Sequence, residues 1–182
     1  MNHQNNWKLL SRFVEIKSPW LTLIGEKLED NQNNILDYWR VEKADSVIIL
    51  TLQNNQLLLP KPVYRPGIGQ ITLDFPGGRL PEDQQPIEVV SVILKRELGV
   101  EQQAIAQVTP LNATGWAINS SFSNQKLYSF VAEIDANFTV NPQYLGKIYQ
   151  NTPQEINRLL QDLTCLQCRY VLLEWLRMKT EL

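Results

Sequence analysis

The amino-acid sequence predicts an α/β protein of the α+β kind, a mixed sheet with helices packed on it in one domain. Three features carry that expectation. Strand patterns separated by polar turns run from Trp20 to about Leu73, one helical pattern follows, and two more helical patterns close the chain after further strands.

The stretch "WLTLIGEKLE" at Trp20–Glu29, the polar cluster "DNQNN" and the returning "ILDYWRVEK" read as a hairpin. "SVIILTLQ" at Ser46–Gln53 is apolar on both faces, as a strand covered from both sides must be. Asn54–Asn55 suits a tight turn into "QLLLPKPVYRPG", and "GQITLDFPGG" is a short strand that ends in a turn. Pro86–Leu98 reads as a helix, with Pro86 in its first turn and Gly99 ending it. Strands are expected around Ala106–Leu111 and Leu127–Ile134, with "NSSFSN" as a polar loop between them. Thr152, Pro153 and Glu155 form a helix-start signature. Ile156, Leu159, Leu160 and Leu163 then share one face, and Leu166, Val171, Leu172, Trp175 and Leu176 mark a last helix.

At 182 residues the chain is long enough to bury a full core without staples. Hydrophobic residues make up 43% and charged residues 20%, the balance of a globular domain. A net charge of −2 gives no reason to expect nucleic acid or an anionic membrane as partner. No apolar run approaches the roughly 20 residues of a bilayer span, and the polar N-terminus lacks a targeting pattern, so a cytoplasmic protein is expected. The two cysteines, Cys165 and Cys168, form a CxxC that could be a redox pair or half a zinc site. With no second CxxC and the one histidine at His3, they read here as two partly buried helix cysteines.

"PGGR" after a strand, followed by a helix ending in "RELGV", resembles the signature of the Nudix hydrolases. The stretch through "YRPG" at Tyr64–Gly67 is similar to the branch that cleaves ADP-ribose and nucleoside-diphosphate sugars. The resemblance spans roughly Trp20 to Trp175. It implies an αβα sandwich, an N-terminal segment at 1–18, and a domain at 19–182 whose β extension, 19–45, helps form a homodimer. It also implies Mg²⁺ held by carboxylates on one helix face, with water attacking a diphosphate linkage. Residues implied to meet the ligand are Arg65, Gly77, Gly78 and Arg79, with Trp39, Trp20 or Trp116 as base-stacking rings or as core or interface residues.

The box itself departs from the family pattern. Aligning Gly78 and Gly99 with its first and last glycines needs no gap and places Gln84, Val92, Ile93 and Arg96 on conserved polar positions. Of the four family glutamates only Glu97 remains, as a candidate metal ligand and catalytic carboxylate. A register shifted by one turn uses Glu88, Arg96, Glu97 and Glu101, but needs four extra residues and a helix running through Gly99. The late loop that often supplies a further glutamate holds only Asp135, with Glu133 before it. In the loop "SSFSNQK", Asn124 and Gln125 stand where acids are usual. The expected function is therefore a relative of ADP-ribose pyrophosphatases with lost or weak hydrolysis that binds a nucleotide as a sensor. The alternatives are an interaction scaffold for a protein partner, or a hydrolase working through Glu88, Glu97 and Glu101.

Overall fold

The structure, a computed structural model, describes residues 7–180. Its strands are β1 (Lys8–Lys17), β2 (Thr22–Glu29), β3 (Ile35–Glu42), β4 (Ser46–Gln53), β5 (Gln56–Pro60), β6 (Val63–Arg65), β7 (Gln70–Thr72), β8 (Gly77–Arg79), β9 (Ile105–Pro110), β10 (Trp116–Ala117), β11 (Lys126–Ile134) and β12 (Leu145–Gln150). Among the described residues three α-helices, α1 (Val89–Leu98), α2 (Pro153–Asp162) and α3 (Leu166–Thr180), join them, with a 3₁₀ turn at Gln102–Ala104. The chain divides into two compact units, one of residues up to Ala44 with Ala117–Lys126, the other of Asp45–Trp116 and Leu127 onward. Among the described residues, no helix is long and apolar enough to cross a membrane.

The N-terminal unit is an antiparallel sheet in the order β1-β2-β3. The expected hairpin is β2-β3, and a third strand, β1, extends it from Lys8, inside the segment read as lying ahead of the domain. The unit's ionic centre is Glu26, a buried carboxylate that accepts from Arg12 at 2.9 and 3.1 Å and from Arg40 at 2.9 and 3.2 Å. Arg40 first, then Arg12, holds that carboxyl below its ordinary value against the opposing pull of burial.

The second unit is built on a sheet whose backbone order is β11-β4-β5-β12, with β8 beside β4 and β9 beside β11. β4 runs parallel to β11 and antiparallel to β5 and β8, so the sheet is mixed. Its residues Val47–Thr51 are buried without alternation, as a strand covered on both faces requires. Asn54 and Asn55 take positive φ, 47° and 60°, the geometry of a type I′ turn between β4 and β5. Helix α1 lays Val89, Val90, Ile93, Leu94 and Leu98 against Val47, Ile49, Leu58, Phe130 and Ala132. It starts three residues after Pro86 and stops at Gly99, whose φ of 66° gives the left-handed cap that a side chain disfavours. Helix α2 begins where the signature places it, with the Thr152 hydroxyl accepting from the Glu155 amide at 3.4 Å.

β12 was not expected: its stretch reads as a late loop in the sequence. Only Tyr149 in it is buried and it lies at the edge of the sheet, so neither continuous nor alternating hydrophobicity marks it.

Candidate functional site

The polypeptide from β6 to β8, the first turn of β4, the end of α1 and the start of α3 enclose a cavity of about 700 Å³, all within the second unit. Its size falls in the range of small-molecule sites. Lys61, Arg65, Arg79 and Arg96 line it against two carboxylates, Asp74 and Glu97, so the wall is basic although the chain as a whole is acidic. Gly77 and Gly78 form part of the wall as β8, paired with Ile48 and Val47.

Gly78 lies closely covered by α1. A Cβ there would stand 3.1 Å from an Arg96 nitrogen and 3.2 Å from Ile93. The side chains from α1 lie directly over the glycine strand, and they are an isoleucine and an arginine. Arg96 Nη2 donates to the Gly77 carbonyl at 2.7 Å, and its Nε donates to Glu97 at 2.8 Å. One guanidinium thus takes the loop carbonyl and the last family-type carboxylate together, and its remaining N–H groups are still available to a ligand.

The other candidate carboxylates do not join Glu97. Glu88 precedes α1 and accepts from the Gln85 amide at 2.8 Å, turned to the start of the helix. Glu101 lies beyond Gly99 and pairs with Lys95 at 3.0 Å. Neither belongs to the cavity wall. Because α1 ends at Leu98, the shifted register does not find the continuous helix it needs. Val92 is exposed and Ile93 is buried under Gly78, so neither offers a ligand atom. Asp135 accepts from the Asn137 amide at 2.7 Å and also lies outside the cavity wall. Mg²⁺ requires oxygen donors, and here the two nearest ones already receive a cationic side chain. The residues present do not fit a Mg²⁺ centre built on several carboxylates.

Arg65 reaches Asp74 through Nε and Nη2 at 2.9 and 2.7 Å, and the Thr72 hydroxyl donates to the same oxygen at 2.9 Å. The arginine is therefore fixed at the cavity mouth with N–H groups left over. Asp74 is a residue that sequence reasoning missed; the signal was its place between a short strand and the glycine turn in "TLDFPGG". Trp39 belongs to the N-terminal unit, where its ring meets Phe13 edge-on at 5.4 Å, and Trp116 meets Tyr170 in the same way at 5.0 Å. Neither ring is in the cavity wall.

Of the two cysteines expected in a helix, Cys168 lies within α3 and Cys165 just ahead of it. Cys165 immediately precedes α3, its carbonyl accepting from the Arg169 amide at 3.0 Å, and Cys168 lies in the first turn. Both line the cavity; Cys165 is partly exposed and Cys168 is buried. Their sulfurs and an Asp74 oxygen lie within 4.8 Å of one another. The Cys168 thiol and the amides of Cys168 and Gln167 draw the Cys165 thiol down to about 6, against burial and Asp74. The hydrogen bond with Cys165, then burial and the charge on Cys165, push Cys168 well above the ordinary thiol value.

A scan against protein-family models finds no match, and neither does a search of curated protein sequences. Among solved structures, the crystal structure of an ADP compounds hydrolase superposes with a TM-score of 0.75 at 18% identity, covering 100% of both chains. Together with the mixed sheet and its helices, this shows that the chain has the Nudix fold, an αβα sandwich.

Proposed function

We propose that this protein binds a nucleoside-diphosphate sugar of the ADP-ribose type by its diphosphate, and that it does so with weak or no Mg²⁺-dependent hydrolysis. The single observation that carries this reading is the seat of Arg96. A guanidinium fixed on the Gly77 carbonyl and Glu97 stands where the glycine strand meets the helix, offering a permanent positive charge to phosphate oxygens. Arg65, held by Asp74, supplies a second one. A cation built into the chain needs no metal to neutralise the ligand, and it also brings no metal-activated water.

The reading is tested by incubating the protein with ADP-ribose and Mg²⁺ and following AMP release, beside calorimetry in chelator. Heat of binding in chelator without turnover is expected. A robust Mg²⁺-dependent rate abolished by Glu97→Gln would refute it and favour a working hydrolase. No heat in chelator together with no AMP release in Mg²⁺ would leave the scaffold reading in its place.

For the N-terminal unit we propose a role in a homodimer. Its strands carry exposed Leu9, Ile16, Trp39 and Ile35, with Trp20 at 68% exposure beside them, apolar groups that a second copy would cover. Light scattering that gives the mass of two chains supports this; a single-chain mass at micromolar concentration contradicts it.

A further inference from the structure

We propose that Cys165 and Cys168 are a redox-active pair: Cys165 attacks disulfides from the cavity, and Cys168 resolves the mixed disulfide to leave a reversible intramolecular one. This does not depend on which ligand the cavity takes. Four features of the structure support it.

The first is placement. Cys165 stands at the N-terminal end of a 15-residue helix, where free backbone N–H groups and the helix dipole favour a thiolate. The second is access. Cys165 is partly exposed and faces a cavity of about 700 Å³, so a small disulfide can reach it, whereas Cys168 is buried behind it. The third is proximity. A spacing of three residues puts both side chains on one helix face, and the sulfurs are within 4.8 Å, close enough for a bond after a rotamer change.

The fourth is the surroundings. Asp74 Oδ1 lies 3.9 Å from the Cys168 sulfur, in reach of its proton. The other Asp74 oxygen is held by Arg65 and Thr72, so the carboxylate is fixed in place. The same Arg65 guanidinium also argues against a metal ion at this cluster, because a cation there would lie beside another cation. The charged groups near the pair are Asp74 and, beyond it, Arg65; Arg96, Glu97, Arg79 and Lys61 share the cavity.

The chemistry balances with a low-molecular-weight disulfide as oxidant. The Cys165 thiolate attacks one sulfur of glutathione disulfide, forming a Cys165–glutathione bond and expelling one glutathione thiolate, which takes a proton from water. Cys168 then attacks the Cys165 sulfur and breaks the Cys165–glutathione bond; its proton passes by way of Asp74 to the departing second glutathione thiolate, and none stays on Asp74. The protein loses two hydrogens, and one disulfide is reduced to two thiols.

The test uses the full chain, reduced and then exposed to glutathione disulfide, with intact mass as readout. The wild type is expected to lose two hydrogens. Cys168→Ser is expected to stop with one glutathione attached, and Cys165→Ser to remain unmodified. Alkylation of the reduced wild type with iodoacetamide should mark Cys165 first, with a rate that rises to half its maximum near pH 6. Circular dichroism confirms that each variant is folded, and wild-type thiol kinetics carry the test if one is not. A wild type that forms no disulfide, glutathione on Cys165→Ser in place of Cys168→Ser, or a purified protein holding stoichiometric zinc with unreactive thiols would each overturn the proposal.

Discussion

Replacing Arg96 with alanine separates ligand binding from folding more cleanly than any other change in the cavity. The side chain is 56% exposed, so its pair with Glu97 is a solvent-screened one and contributes at most about 1 kcal/mol to stability. Its value to a bound diphosphate is larger, because a hydrogen bond to a charged group contributes about 1.5–3 kcal/mol, or roughly tenfold to a hundredfold in Kd. Arg96→Ala should therefore bind ADP-ribose about ten to a hundred times more weakly in chelator while melting within a few degrees of the wild type. It should do something further. Removing the guanidinium uncovers the Gly77 carbonyl and the Glu97 carboxylate, two oxygen donors that now have no cation. Added Mg²⁺ should then recover part of the lost affinity in the variant, and change nothing in the wild type. Calorimetric titrations of both proteins, with and without Mg²⁺, read all four affinities. Unchanged affinity in Arg96→Ala, or a wild type that binds only with Mg²⁺, would refute the reasoning.

Three further changes probe the stability of the two units. Gly99→Ala must hold a φ of 66° with a Cβ 2.8 Å from the Tyr144 ring, and should lower stability by about 2 kcal/mol in urea unfolding. Thr51→Val should raise it by about 1 kcal/mol, because the buried Thr51 hydroxyl has no hydrogen-bond partner among the described residues and the isosteric methyl needs none. Glu26→Ala leaves Arg12 and Arg40 facing each other without their shared carboxylate and should cost about 2 kcal/mol. Because the folded state depresses the Glu26 carboxyl from 4.5, its contribution is full above that pH and fades as pH falls through the lower folded value. The stability gap between wild type and Glu26→Ala should accordingly narrow in acid.

Much of the frame was legible because it is written in local chemistry. Asn54–Asn55, Gly99 and Thr152–Pro153 are residues whose backbone preferences act within a turn, and each does in the structure what its neighbours in sequence suggest. β4 could be read from its unbroken apolar run. β1 and β12 could not, since most of their residues are exposed and their pairing partners, not their own pattern, make them strands.

The cavity was legible in part. Gly77, Gly78 and Arg65 stand out in the motif, but the two glycines read as a turn and form the strand β8 instead, and nothing in "KRELG" says that Arg96 folds back onto the Gly77 carbonyl. Asp74 and the cysteines are far apart in sequence, and only the packing of α3 near β7 and β8 brings their donor atoms together. Cys165 seemed to share a helix with Cys168 because apolar residues continue on both sides of the CxxC. The break between α2 and α3 at Leu163–Cys165 carries neither glycine nor proline to announce it.

The most direct test of the metal-free diphosphate site is a crystal structure grown with both ADP-ribose and Mg²⁺. The account predicts diphosphate oxygens within hydrogen-bonding distance of Arg96 and Arg65, with Arg96 still on the Gly77 carbonyl and no metal between Glu97 and the ligand. A Mg²⁺ ion ligated by Glu97, with Arg96 displaced into solvent, would contradict it.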